Sequence, residues 1–186
     1  SYAFAAAAVA GGRVRVDGLG RATAQGDLAF VEVMARMGCD VSVTDGWTEV
    51  RRTPGAPLQG VEVDLADCSD TAQTLAVVAA VAEGPTRVTG IGFIRAKETD
   101  RIAAIVTELR RCGVEADEEP DGFVVRPRPG GVHGARVETY DDHRMAMSFA
   151  VLGLAVPGIT IVDPGCVAKT FPSFFTMLDA LRPGRT

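Results

Sequence analysis

The sequence predicts an α/β fold built from one unit, strand–helix–strand–helix–strand–strand, present about two and a half times. Three observations predict it. First, an apolar helix that runs into glycine and proline and then into a short strand recurs three times. The copies are Phe4–Ala10 with Arg13–Val16, Leu75–Ala82 with Thr86–Thr89, and Phe149–Val156 with Ile159–Val162. Second, Gly12, Gly84 and Gly158 fall at matching places, 72 and 74 residues apart. Third, each strand is followed by an amphipathic stretch with apolar residues at helical spacing.

The elements follow in order. The helix over Gln25 to Met37 ends at Gly38, and that over Glu98 to Cys112 ends at Gly113, both natural left-handed caps. Strand pairs come next, Asp40–Val43 with Thr48–Arg51 and Val114–Asp117 with Gly122–Val125, turning at Asp45-Gly46 and Asp121-Gly122. The third copy continues into a helix from Pro172 to Leu181, with Pro172 in its first turn and Lys169 just outside it. Such a unit buries its apolar helix only against its neighbours, so a closed set of three is expected. The first copy lacks the strand ahead of its opening helix, and the chain starts at Ser1 rather than methionine, so a piece of a longer protein is expected.

Composition narrows the function classes. Hydrophobic content of 47% and charged content of 23% over 186 residues are ordinary for one globular core. A net charge of −5 and the absence of any Lys/Arg-rich run argue against a nucleic-acid partner. The apolar run Tyr2–Ala10 is too short for a bilayer, which needs about 20 residues, and it lacks the basic flank of a signal peptide. Cys39, Cys68, Cys112 and Cys166 are widely spaced, and the two histidines, neither beside a cysteine, argue against a zinc site. Reduced thiols in a cytoplasmic protein are the expectation.

The charges that carry chemistry gather at helix starts. Arg95-Ala96-Lys97-Glu98-Thr99-Asp100-Arg101 precedes the helical pattern Ile102, Ile105, Val106, Leu109, with Thr99 or Asp100 as the cap. Acids suit the positive end of a helix, whereas Lys97 and Arg101 oppose its dipole. Cations there point to a site that holds an anion; the alternative is a solvated helix start with ordinary charge pairs. A second helix start, Thr139-Tyr140-Asp141-Asp142-His143-Arg144, again has an acid as cap (Asp141 or Asp142) and an arginine in the first turn. Lys169 in Ala168-Lys169-Thr170-Phe171-Pro172 gives the third. The pattern suits a small, multiply charged ligand.

Lys97-Glu98-Thr99-Asp100-Arg101, Tyr140-Asp141-Asp142-His143-Arg144-Met145-Ala146-Met147, Ala168-Lys169-Thr170-Phe171-Pro172 and the weaker Gln25-Gly26-Asp27 together resemble the C-terminal portion of the EPSP synthase (3-phosphoshikimate 1-carboxyvinyltransferase) family, over essentially the whole chain. The resemblance implies the enolpyruvyl transferase fold: two domains, each a pseudo-threefold repeat of βαβαββ units, with 1–186 forming one incomplete domain and the N-terminal half of the same enzyme as its partner. It implies transfer of the enolpyruvyl group from phosphoenolpyruvate to the 5-hydroxyl of shikimate 3-phosphate in the shikimate pathway, without metal or organic cofactor. By resemblance Arg101, Arg144 and Lys169 grip phosphoenolpyruvate, and Asp70 is the candidate general base. Lys97 meets the attacking hydroxyl, Glu98 protonates the methylene carbon, and Asp142 orients Arg144 or contacts substrate.

Other residues take plainer readings. His143 supports its helix start, His133 lies in a loop, Met145, Met147 and Phe149 face the core, and Trp47 packs in its hairpin. Phe93 departs from the family pattern, standing where many members carry an asparagine. Two alternatives stay open: UDP-N-acetylglucosamine enolpyruvyl transferase, against which the Lys97–Arg101 motif speaks, and a non-catalytic anion-binding module of the same fold, which has no need of Asp70 and Glu98.

Overall fold

A computed structural model of the chain describes residues 1–23 and 26–181. The elements in chain order are α1 (Tyr2–Ala10), β1 (Gly12–Asp17), α2 (Ala29–Arg36), β2 (Asp40–Val43), β3 (Trp47–Arg52), β4 (Glu62–Asp64), α3 (Ala72–Ala79) and β5 (Thr86–Thr89). Then come α4 (Arg101–Arg111), β6 (Glu115–Glu119), β7 (Gly122–Arg126), β8 (Arg136–Val137), α5 (His143–Leu152), β9 (Thr160–Ile161) and α6 (Phe174–Ala180). Short 3-10 turns at Gly26–Leu28, Ala66–Thr71, Gly92–Ala96 and Pro164–Lys169 lead into α2, α3, α4 and α6.

The repeat holds at the level of strand pairing. The middle copy, β4-α3-β5-α4-β6-β7, forms a sheet in the order β4-β5-β7-β6, with β4 and β5 parallel and the other pairs antiparallel. The first copy repeats part of this as β1-β3-β2, again antiparallel. The third repeats the other part as the parallel pair β8-β9. Pairing sets the third copy off the spacing of the three glycines. Arg87 and Thr160 make the same backbone bond to the preceding strand, to the Val61 and Ala135 carbonyls, and the left-handed residues that follow are Gly90 (φ 77°) and Asp163 (φ 49°). Gly84 (φ 81°) and Gly158 (φ 87°) keep matching left-handed conformations, so the strand of the third copy begins one residue sooner after its glycine.

α1, α3 and α5 pack against one another at the centre. Their sequences are mostly apolar, which suits helices with little solvent face; every residue of α3 is buried, as is α1 from Phe4 to Val9. α2 and α4 are two-faced: Phe30, Val31, Val33 and Met34 turn inward on one, and Ile102, Ile105, Val106 and Leu109 on the other. Each such side chain contributes roughly 1.5–3 kcal/mol on burial. The buried residues form one connected core. No helix among the described residues is long and apolar enough to cross a membrane.

Some boundaries differ from the sequence expectation. Gln25 lies outside the described residues, and α2 starts at Ala29 behind a 3-10 turn. Pro172 precedes the Ser173 cap of α6, so Lys169 does not flank that helix; it closes the Pro164–Lys169 turn. In the second hairpin the turn is Pro120-Asp121, and Gly122 belongs to β7. A Cβ there would overlap the Val88 carbonyl oxygen, so close strand approach is what requires the glycine. At Thr44–Trp47 the Thr44 hydroxyl accepts the Gly46 and Trp47 N–H groups, and the Arg15 guanidinium lies 4.5 Å from the centre of the Trp47 ring.

Candidate active site

The site begins with a cap. Asp100, not Thr99, precedes α4 and accepts the Ala103 N–H at 3.0 Å. Arg95 holds this carboxylate at 2.9 Å and also bonds Glu118 at 2.8 Å. Burial pushes the Asp100 carboxyl up, but the Ala103 N–H and Arg95 outweigh it, and its pKa is lowered overall. With Asp100 as cap, Arg101 becomes the first helical residue and its side chain turns inward, 2% exposed. A buried cation at the positive end of a helix needs strong compensation. Arg101 finds three carboxylates: Asp142 at 2.7 Å, Glu98 at 2.7 Å and Asp70 at 3.3 Å.

Asp142, not Asp141, caps α5. One of its oxygens accepts the Arg144 N–H at 2.8 Å, and the other takes Arg101 Nε. Asp142 is fully buried, with both oxygens engaged by the protein. The turn before it is left-handed at two successive residues, Tyr140 (φ 56°) and Asp141 (φ 55°). Arg144 sits in the first turn of α5 and donates to the Asp70 carbonyl at 2.9 Å and to its carboxylate at 2.6 Å. The exposed Lys169 reaches the Asp141 carbonyl at 3.4 Å. Asp70 lies in the turn before α3, with 47% of its side chain in solvent.

Electrostatics follow from this arrangement. Burial pushes the Glu98 carboxyl up, but its own backbone N–H, Arg101, His143 and Lys169 outweigh it, and the net direction is down. His143 opens α5 and is buried; desolvation lowers its pKa, and its Nδ1 lies 4.0 Å from Asp142 with no hydrogen-bond partner among the described residues. Tyr2, edge-on to Phe174 at 5.6 Å, buries its hydroxyl near Arg144. Burial pushes that phenol up to about 12.

Of the residues chosen from the sequence, Asp70, Glu98, Arg101, Asp142 and Arg144 form one ionic network, and Lys169 is tied to its edge. Lys97 is exposed and makes no ion pair among the described residues. Phe93 is 53% exposed on the turn before it. The network opens to solvent through Asp70 and Glu98 rather than lining a closed cavity. A cavity of about 550 Å³ lies elsewhere, between the end of α1, the start of β1 and Gly153, Leu154 and Leu181.

Sequence reasoning passed over Glu108, fully buried on α4, and the part Tyr140 plays with it. The available signal was an acid seven residues after Arg101, inside the apolar stripe of the helix. It also passed over Tyr2, which read only as part of an apolar run.

A threefold α/β repeat with cations and carboxylates gathered at helix N-termini defines the class: an enolpyruvyl transferase fold. A family model described as EPSP synthase (3-phosphoshikimate 1-carboxyvinyltransferase) matches residues 1–178, and the chain belongs to that family. It is 53% identical over 176 residues to the 3-phosphoshikimate 1-carboxyvinyltransferase of Nostoc punctiforme, covering 95% of this chain and 40% of that protein. Against the Methanoculleus marisnigri enzyme of the same name identity is 46%, covering 96% and 41%. Among solved structures, EPSP synthase from Acinetobacter baumannii superposes with a TM-score of 0.81 at 27% identity, covering 96% of this chain and 43% of that one. The enolpyruvyl transferase NikO from Streptomyces tendae shares the fold, with a TM-score of 0.73 at 23% identity and coverage of 97% and 42%. The chain thus spans about 40% of the length of the curated relatives it matches.

Proposed function

We propose that this chain is the C-terminal portion of a two-domain 3-phosphoshikimate 1-carboxyvinyltransferase and supplies one wall of its cleft. The observation that carries the reading is Asp70, whose carboxylate is shared by Arg101 and Arg144 from two different repeats. An internal carboxylate thus bridges two guanidinium groups that would suit an external anion equally well. Both substrates are polyanions, and a guanidinium fork matches carboxylate and phosphate alike.

Phosphoenolpyruvate then competes with Asp70 for Arg144, with Lys169 closing on its other side. Displaced from Arg144, Asp70 is free to take the proton of the 5-hydroxyl of shikimate 3-phosphate as that oxygen bonds to C2 of phosphoenolpyruvate. Lys97 offsets the negative charge developing on the hydroxyl oxygen. Glu98 delivers a proton to C3, and the tetrahedral adduct later loses phosphate and a C3 proton to give the enolpyruvyl ether. Asp142 acts behind Arg101 as a positioning residue. Cys39, Cys68, Cys112 and Cys166 form no disulfide among the described residues, which fits a cytoplasmic setting.

The test is phosphate release from phosphoenolpyruvate plus shikimate 3-phosphate, with this chain alone and with the N-terminal half of the Nostoc punctiforme relative. Turnover on complementation, and not without it, is the expected result. Turnover by the isolated chain overturns the shared cleft; a well-folded complex with none overturns the catalytic reading.

A further inference from the structure

We propose that Glu108 is a positioning residue of the site, holding the left-handed Tyr140–Asp141 turn in the one conformation that seats Asp142 and Arg144. The inference rests on the reading of Arg144 as an anion-binding residue. Glu108 has no solvent exposure, a costly state for a carboxylate unless its oxygens are engaged. One oxygen accepts the Tyr140 hydroxyl at 2.7 Å; the other accepts the Glu138 N–H at 3.1 Å and Arg111 at 3.1 Å. Arg111 is 42% exposed and by itself gives no reason to bury its partner. The other two bonds go to the connection between β8 and α5.

Geometry makes the hold consequential. Glu108 follows Arg101 by seven residues, two turns along the same face of α4. That face therefore grips the connection twice: Glu108 takes residues 138 and 140, and Arg101 takes Asp142. The gripped stretch holds two successive residues with side chains at positive φ, Tyr140 and Asp141, a region that disfavours a Cβ. The Asp142 N–H closes the turn on the Thr139 carbonyl at 2.9 Å. Were the turn to relax to negative φ, its peptides would rotate, moving the carbonyl that receives Lys169 and the carboxylate that receives Arg101. Burial, then the Glu108 bond, push the Tyr140 phenol up to about 12, so it remains a donor across neutral pH.

Hydrogen exchange on the full chain tests this without any ligand, by following the Arg144 N–H and the Arg101 Nε–H against the Ala76 and Val77 amides of α3. Tyr140→Phe keeps the ring and removes the bond; it should speed exchange of the first two about tenfold, the scale of one hydrogen bond to a charged group, and leave α3 unchanged. Glu108→Ala should exceed this. Glu108→Gln, which keeps an oxygen for Tyr140, should fall short of Glu108→Ala. Should Glu108→Ala fail to fold, Tyr140→Phe carries the test. Unchanged exchange at Arg144 in folded variants overturns the proposal, and so does equal acceleration in α3, which marks a loss of global stability alone. Titration with phosphoenolpyruvate then separates the two readings. Weakened affinity supports both, whereas faster exchange at constant affinity supports the hold on the turn and removes Arg144 from the anion site.

Discussion

Glu98 is poised against the task proposed for it. A carboxyl group donates a proton near neutral pH only when its pKa is raised. Here burial pushes it up while its backbone N–H, Arg101, His143 and Lys169 pull harder the other way. On the proposed mechanism, bound anions would have to reverse this balance by engaging Arg101 and Lys169, which would couple protonation of Glu98 to substrate binding. In the complemented enzyme, Glu98→Gln should lower kcat by at least about a hundredfold, the range of a lost general acid. The KM for phosphoenolpyruvate should stay within about threefold, as expected when transition-state stabilisation alone is lost. Steady-state kinetics check both, and retained turnover would remove Glu98 as the donor. At this scale the sequence was readable where chemistry is local: a cap needs an acid, and Asp100 and Asp142 supply it. It did not reveal that Asp142 is buried, because a solvent-facing cap and one locked onto Arg101 carry the same residue pattern.

The elements most readily read in advance were those whose periodicity or caps speak for themselves. Gly38 (φ 101°) and Gly113 (φ 79°) end α2 and α4 in the left-handed conformation expected of them. Helix starts behind 3-10 turns were less legible. In Gly26–Leu28 and Pro164–Lys169 the chain coils at three residues per turn, a period too short-lived to leave an apolar stripe. That displaced the expected start of α2, and it put Lys169 in a turn of its own rather than beside α6. Gly122 shows a different limit, since its cause is a neighbouring strand and not its own turn. Gly122→Ala should force β7 away from β5 and cost on the order of 3 kcal/mol, the scale of overpacking in a close-fitted site. Urea unfolding measures this directly, and an unchanged midpoint would mean the two strands separate freely.

For the whole molecule the pH dependence of stability has two limbs. Burial lowers the pKa of His143, so below about pH 6.5 the unfolded chain takes up a proton that the folded chain refuses. Asp100 and Glu98, also lowered, add stability above their unfolded values, and it is lost as pH falls from about 4 through their folded values. On the alkaline side burial pushes the Cys39 and Cys112 thiols up to about 11, so the stability they lend is complete below about pH 8.5 and is lost as pH rises through 11. Urea midpoints should therefore form a plateau between about pH 6.5 and 8.5, with the steeper acid fall below about 4. Midpoints that rise on acidification would contradict these burials. The repeat, too, belongs to this scale. It was legible because glycines and apolar helices recur, while the one-residue shortening between Gly158 and its strand was not, because backbone pairing sets that register.

The middle copy is the one whose sheet is complete among the described residues, and all of it comes from a continuous stretch, Glu62 to Arg126. Its sheet can therefore close without a strand from either other copy. The ionic network cannot. Asp70, Glu98 and Arg101 come from the middle copy, but Asp142, Arg144 and Lys169 come from the third. The charged cluster thus exists only where two copies meet, and it is surrendered whenever the third copy lets go.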